Sequence, residues 1–169
     1  MKSKLFLAFL IIMVTALVLV GCSSSDETEI SEDTYIAVIS KGFQHQFWQA
    51  VRTGAENAAE DYGVTITFEG PETEAMVDKQ VEMVQAALDK KPAALALAAL
   101  DTQALIPLLE RAQEDGIPVV GFDSGVDSDI IVTTAATDNI AAAATAADKM
   151  AELIGGAGQV AVIVHDQTN

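Results

Sequence analysis

Two short polar stretches of this sequence carry side chains that suit the binding of a small molecule. The first follows a β-rich run at residues 35–40 and holds, in order, Lys41, Gln44, His45, Gln46, Phe47 and Trp48. Flat aromatic faces beside hydrogen-bonding groups are what a small polyhydroxylated ligand needs. Core packing is the alternative for the aromatic pair, because one helical face would carry Trp48, Val51, Ala55, Ala58 and Tyr62. Packing does not explain the polar side chains of residues 41–46.

The second polar stretch begins with Asp123 and Ser124, directly after an apolar run at residues 118–122. Ligands of open α/β sheets bind in the loops at the carboxyl ends of the strands, so both stretches are predicted to lie at one edge. A carboxylate at this edge can accept two hydroxyl hydrogen bonds. The alternative role for Asp123 is that of a turn-forming residue before Gly125. Asp127 and Asp129 extend a pattern loosely like a calcium loop, but its closing glutamate is missing, which favours an acidic turn.

Other chemistry-bearing patterns are incomplete. His45 and His165 are far apart and lack thiolate partners, so no zinc site is predicted. The glycines at 156 and 158 follow a predicted helix, which is the wrong context for a dinucleotide fingerprint. Ser124 has no nucleophile-elbow motif and no neighbouring histidine. A surface-anchored hydrolase on a flavodoxin-like sheet is therefore the weaker alternative, and neither an enzymatic activity nor a cofactor or metal is predicted.

Strand and helix signals alternate along the chain and must position these side chains. Apolar runs predict strands at residues 35–40, 64–68, 94–100, 118–122, 130–134 and 159–164. Helices are predicted at 47–62, around Val77–Leu88, around Leu105–Ala112 with Asp101 or Thr102 as its cap, and along an Ala-rich stretch. The last helix has one apolar face, formed by Ile140, Ala143, Ala147, Met150 and Ile154. This order predicts an α/β fold, a doubly wound parallel sheet with helices on both faces.

The N-terminus has the pattern of an export signal. Lys2 and Lys4 precede an apolar run at residues 5–20, which ends in Leu-Val-Gly-Cys at Cys22. That ending resembles the bacterial lipobox and predicts a lipoprotein signal peptide at residues 1–21, with lipid carried by Cys22. A transmembrane anchor is the alternative, but the run falls short of the roughly 20 residues that span a bilayer. Cys22 is the only cysteine, so no intramolecular disulfide is predicted.

Charge sets further limits on the partners. Residues 22–34 are rich in serine and acidic residues and predict a flexible tether. The whole chain has 25 acidic and 9 basic residues, for a net charge of −16. Nucleic-acid binding requires a basic surface, so a nucleic-acid partner is not predicted.

The order of motifs resembles the N-terminal lobe of the type 1 periplasmic binding proteins, in their ribose-binding-like, sugar-transport branch. The resemblance runs from about Tyr35 to the last residue. It is carried by the loop with Phe47 and Trp48, by DTQA at 101–104, by GIPVVGFDS at 116–124 and by ATDN at 136–139. It implies that Phe47 and Trp48 sandwich a sugar and that Asp123 holds its hydroxyls. The other predicted ligand-binding residues are Lys41, His45 and Ser124, of which Lys41 and His45 replace the small amides common in the family's loop. Ser124 stands where sugar binders often have an arginine.

The resemblance also implies an organisation and a function. Residues 35–158 would form the N-terminal ligand-binding lobe, and 159–169 a crossover strand and the start of a second lobe. The implied protein is exported, lipid-anchored through Cys22 to the outer face of the cell membrane, and captures a sugar by lobe closure. It would deliver that sugar to the membrane permease subunits of an ABC importer. The alternative is a ligand sensor for a chemoreceptor or a receptor kinase. A LacI-type repressor would instead need a DNA-binding headpiece, where this chain has the signal-peptide pattern.

Overall fold

The computed structural model describes residues 33–163. The predicted signal peptide, Cys22 and most of the predicted tether lie outside this range, as do residues 164–169. No helix within the described range is long and apolar enough to cross a membrane.

The centre of the fold is a parallel sheet of five strands in the order β2-β1-β3-β4-β5. The strands are β1 (Tyr35–Ile39), β2 (Thr65–Glu69), β3 (Ala94–Leu97), β4 (Val119–Phe122) and β5 (Thr133–Ala135). The chain winds outward from β1 to β2 and then returns to the other side of β1. Because right-handed crossovers then place helices on opposite faces, a crevice opens at the carboxyl ends of β1 and β3.

The register of the central strands aligns their carboxyl ends. Ile39 of β1 pairs with Leu97 of β3, and Leu97 pairs with Gly121 of β4. Gly121 is required at this point, because a β-carbon there would lie 2.7 Å from the hydroxyl oxygen of Thr134 in β5. The loops after β1, β3 and β4 therefore leave the sheet side by side.

Four helices connect the strands: α1 (Gln46–Tyr62), α2 (Val77–Asp89), α3 (Ile106–Glu114) and α4 (Asn139–Leu153). Gly63 ends α1 in the left-handed conformation, at φ 64°. Pro107 lies in the first turn of α3, where its missing N–H costs no helical hydrogen bond. The predicted cap of α3 was wrong, because the helix begins only at Ile106. Asp101 instead accepts hydrogen bonds from the backbone N–H groups of Gln103 and Ala104 in the preceding turn.

The main hydrophobic core lies where α2 and α3 pack against the sheet. Its largest buried side chains are Ile39, Val84, Leu88, Leu95, Leu97, Leu105, Leu109 and Val119. Helix α1 packs beside β2 and buries Trp48 and Ala59. The α/β class and the parallel sheet predicted from sequence are thus confirmed.

Three predicted elements differ from the structure. Every residue of α4 is exposed, including Ile140 at 87%, although the sequence gives this helix one apolar face. An apolar stripe shows which face can be buried, and among residues 33–163 nothing covers this one. The predicted sixth strand was wrong over residues 159–163, which pair with no strand and are exposed. The fifth strand begins later than predicted, because Ile130 and Ile131 pack against the core from a loop.

Candidate functional site

Lys41 and Asp123 meet at the carboxyl edge of the sheet. Lys41 is the second residue after β1, and Asp123 follows β4 immediately. The Nζ atom of Lys41 lies 2.9 Å from Oδ2 of Asp123, and their side chains are 12% and 31% exposed. The structure therefore brings together the two polar stretches that the sequence predicted to share an edge.

The backbone holds Asp123 in a conformation that few residues adopt. Its φ is 58°, in the left-handed region that aspartate tolerates better than most side chains. Its N–H donates to the carbonyl of Ala135 at 3.0 Å, one residue beyond the last pair between β4 and β5. Unusual backbone conformations of this kind cluster at ligand sites, where the surrounding fold imposes them. Here the turn leaves the carboxylate within reach of Lys41.

Ser124 anchors the same turn from the other side. Its hydroxyl donates to the carbonyl of Ala99, in the loop after β3, at 2.9 Å. The hydroxyl proton is therefore committed to the fold. Only the oxygen lone pairs of Ser124 are left to accept a bond from a ligand.

An open groove of about 440 Å³ lies beside the ion pair. Its lining residues are Phe47, Val51, Phe122, Asp123, Ala135, Ala136 and Thr137. Phe47 is 47% exposed and offers an aromatic surface next to the carboxylate. An apolar wall with a few charged groups is the usual composition of a small-molecule site.

Trp48 supports the groove instead of lining it. The side chain is only 2% exposed, and its indole N–H donates to Oε1 of Glu74 at 2.9 Å. Its ring meets those of Phe47 and Phe122 edge-on, at centroid distances of 4.8 and 6.4 Å. The core-packing alternative is therefore confirmed for Trp48, and only Phe47 remains accessible to a ligand.

His45 is not brought into the groove. It is the N-cap of α1, where its Nδ1 accepts the backbone N–H of Phe47 at 3.2 Å. Its ring lines a separate depression with Gln44 and the segment 72–75. The His45 side chain thus caps the start of α1, a role that was not predicted from the sequence.

The acidic loop after Asp123 does not form a metal centre in the described part of the chain, where no group of three or more candidate ligands converges. Asp127 is tied to the preceding loop, since its carboxylate accepts from Gln103 at 3.1 Å and its N–H donates to Thr102.

Several residues of the site were missed from sequence. Glu74 fixes the indole of Trp48, but it lies in a loop with no recognisable motif. Thr137 and Ala136 line the groove directly before Asp138. Asp138 itself is the N-cap of α4, because its carboxylate accepts from the N–H of Ala141 at 2.9 Å. Ala136 and Thr137 follow β5 at the same edge of the sheet as Asp123, and this position was the signal that could have identified them.

A comparison with protein families agrees with this geometry. Residues 36–169 match the family model described as "periplasmic binding protein domain". The chain belongs to the periplasmic binding protein family. The resemblance found in the sequence is thereby confirmed.

Two of the following three relatives of this periplasmic binding protein domain carry the name of a sugar. A D-apiose import binding protein of Actinobacillus succinogenes is 27% identical over 83% of this chain and 46% of its own length. A solute-binding protein of an ABC transporter from Agrobacterium vitis, solved with bound D-fucose, is 41% identical over 72% of this chain and 43% of its own, with a TM-score of 0.68. A protein from Brachyspira murdochii, titled "ABC transporter, LacI family transcriptional regulator", is 46% identical with a TM-score of 0.69, over 73% of this chain and 40% of its own. The chain thus spans less than half the length of these relatives.

Proposed function

We propose that this protein is the sugar-binding component of an ABC importer. The observation that carries the proposal is the ion pair between Lys41 and Asp123, whose Asp123 lines a groove at the carboxyl edge of the sheet together with the exposed ring of Phe47. A sugar presents hydroxyl groups on its rim and C–H groups on its faces. Charged hydrogen-bonding groups next to an aromatic ring match both parts of such a ligand.

Each side chain has a separate task in this proposal. The Asp123 carboxylate accepts from one or two sugar hydroxyls, and the Lys41 ammonium donates to a sugar oxygen while it balances the carboxylate charge. Phe47 packs against a face of the ring. Because the pair is neutral as a unit, it favours an uncharged ligand over a sugar acid or an amine.

Binding takes place without a chemical step. In the described part of the chain, no serine or threonine hydroxyl at the groove pairs with a histidine, so an activated nucleophile is missing. The relatives from Actinobacillus succinogenes and Agrobacterium vitis carry the names of binding proteins.

The remaining parts of the proposal concern organisation and place in the cell. Residues 35–158 supply one wall of the site, residues 159–169 lead toward a second lobe, and hinge closure of the two lobes excludes water from the sugar. Residues 1–21 direct export, Cys22 carries the lipid, and residues 22–34 tether the lobe above the membrane. The closed form then delivers its sugar to the permease subunits.

A ligand panel tests the proposed class of ligand. Saturation-transfer NMR is recorded on the purified chain with D-apiose, D-allose, D-ribose, D-fucose and L-rhamnose, and with glycine betaine and glutamate as non-sugar controls. At least one sugar is expected to receive saturation, with a dissociation constant in the millimolar range because the groove is open on one side. Binding of the controls alone, or of no sugar, would contradict the proposal.

A further inference from the structure

Gln80, in the second turn of α2, is buried beneath the candidate site and makes no contact with the groove. Its side chain has no exposed surface, and within the described range it is one of only two fully or nearly buried polar residues, with Ser40. A buried amide is costly unless its polar atoms are hydrogen-bonded. Its bonds therefore indicate what the side chain does.

The amide of Gln80 joins the loops that follow β1 and β3. Its Nε2 donates to the carbonyl of Ser40 at 3.0 Å and to the carbonyl of Ala98 at 2.8 Å. Its Oε1 accepts the backbone N–H of Leu100 at 2.8 Å. Both N–H groups of the amide are thus used, and each is bonded to a strand end at the ligand edge.

These two loops lead directly to the ion pair. Ser40 immediately precedes Lys41, and the segment 98–100 contains Ala99, whose carbonyl receives the Ser124 hydroxyl at 2.9 Å. Ser124 in turn follows Asp123. The buried side chain of Gln80 is therefore connected, through short stretches of backbone, to both Lys41 and Asp123.

We propose that Gln80 is a positioning residue that fixes the relative placement of Lys41 and Asp123 without touching the ligand. The effect of Gln80 on ligand binding rests on the proposed function, but the placement of Lys41 and Asp123 can be measured without any ligand. Loss of the amide leaves two carbonyls and one N–H without partners, so the loops after β1 and β3 relax toward water and the ion pair loses its geometry.

The test compares Gln80→Met with Val84→Ala. Methionine is of similar length and fills the same buried space, but it cannot make the three hydrogen bonds. Val84 lies one turn further along α2, is fully buried in the core, and has no polar side-chain atoms. Both substitutions weaken the fold, so both proteins are studied at a temperature where circular dichroism shows them folded.

Backbone amide shifts in ¹H–¹⁵N NMR spectra decide the structural part. The Gln80→Met protein is expected to show shifted or broadened signals at Lys41 and Asp123, and Val84→Ala to leave both near their wild-type positions. Changes confined to α2 in both variants would overturn the proposal. If Gln80→Met does not fold, Ser124→Ala replaces it. Ser124→Ala removes the hydrogen bond from the Ser124 hydroxyl to the Ala99 carbonyl. It should therefore shift the amide signal of Asp123 and leave that of Lys41 unchanged.

Binding decides the functional part, with whichever panel sugar binds the wild-type protein as the probe. Gln80→Met is expected to raise the dissociation constant about tenfold, and Val84→Ala to change it less than about threefold. In a double-mutant cycle, Asp123→Asn should cost less in the Gln80→Met background than in the wild type. Equal losses in both backgrounds would show that Gln80 acts independently of Asp123. If no sugar binds, the proposed function fails, and the amide shifts still decide the placement.

Discussion

Replacement of Asp123 by asparagine removes one charge from the site and little else. Asparagine is isosteric with aspartate and is among the few residues that tolerate the left-handed backbone found here, at φ 58°. The turn is therefore kept. What changes is the ion pair with Lys41 and the strength of any hydrogen bond to the ligand.

The two consequences differ in size. A hydrogen bond to a charged group contributes about 1.5–3 kcal/mol, and a change of about 1.4 kcal/mol is tenfold in affinity. The dissociation constant should therefore rise about tenfold to a hundredfold. The ion pair is partly screened by solvent, so its loss should cost about 1 kcal/mol of unfolding free energy or less. For a domain of this size that amounts to a fall in Tm of roughly 2–5 °C.

Titration by NMR measures the affinity, and thermal unfolding followed by circular dichroism measures the stability. Asp129→Asn is the matched control, because it removes the same charge from an exposed position in the same loop. It should alter neither quantity. Unchanged affinity in Asp123→Asn, or an equal loss in both variants, would refute the role of the Asp123 carboxylate.

Three further predictions each concern one residue. Phe47→Ala should raise the dissociation constant about threefold to tenfold, because the ligand loses the face of the aromatic ring. Phe43 is an exposed phenylalanine of the same loop that lies outside the groove, so Phe43→Ala should leave the dissociation constant unchanged. Equal titration curves for the two variants would contradict this prediction. Hydrogen bonds from the N–H groups of Ala104 and Gln103 lower the pKa of Asp101, so its carboxylate stabilises the fold above the unfolded pKa, and that stabilisation is lost as pH falls through the folded pKa. Urea unfolding should accordingly show Asp101→Ala less stable than wild type at pH 7, with the difference shrinking in acid; a difference that is constant with pH would be inconsistent with this. Mass spectrometry of the protein from bacterial membranes should find a lipid-modified Cys22 at the N-terminus, and Cys22→Ser should abolish the modification; an intact Met1 would rule out the lipobox.

Local sequence patterns were sufficient to predict most of the fold. Continuous apolar runs identified the central strands β1, β3 and β4, and glycine at position 63 marked the end of α1. Such signals are reliable because burial and backbone conformation are determined close to the residue concerned. The exposure of the apolar face of α4 could not be predicted in the same way, because burial also depends on what packs against the helix.

The site was predicted in part. The positions of Lys41 and Asp123 after two strands indicated one shared edge, but their ion pair depends on the left-handed backbone conformation of Asp123, which the sequence did not reveal. The burial of Trp48 depends on Glu74, a long-range partner in an irregular loop. Gln80 had a weak signal, since it is a polar residue between the apolar positions Val77 and Val84 on one face of α2. The sequence alone does not show which groups form hydrogen bonds with a single buried amide in such a stripe.

The location of the bound sugar tests the central claim most directly. A ¹H–¹⁵N titration of the purified chain with the sugar that binds should shift the backbone amides of Lys41, Phe47, Asp123 and Thr137 together, with one common dissociation constant. The amides around the separate depression, at His45 and Glu72, should shift far less. Shifts centred on that depression, or on the exposed face of α4, would contradict a binding site built on the Lys41–Asp123 pair.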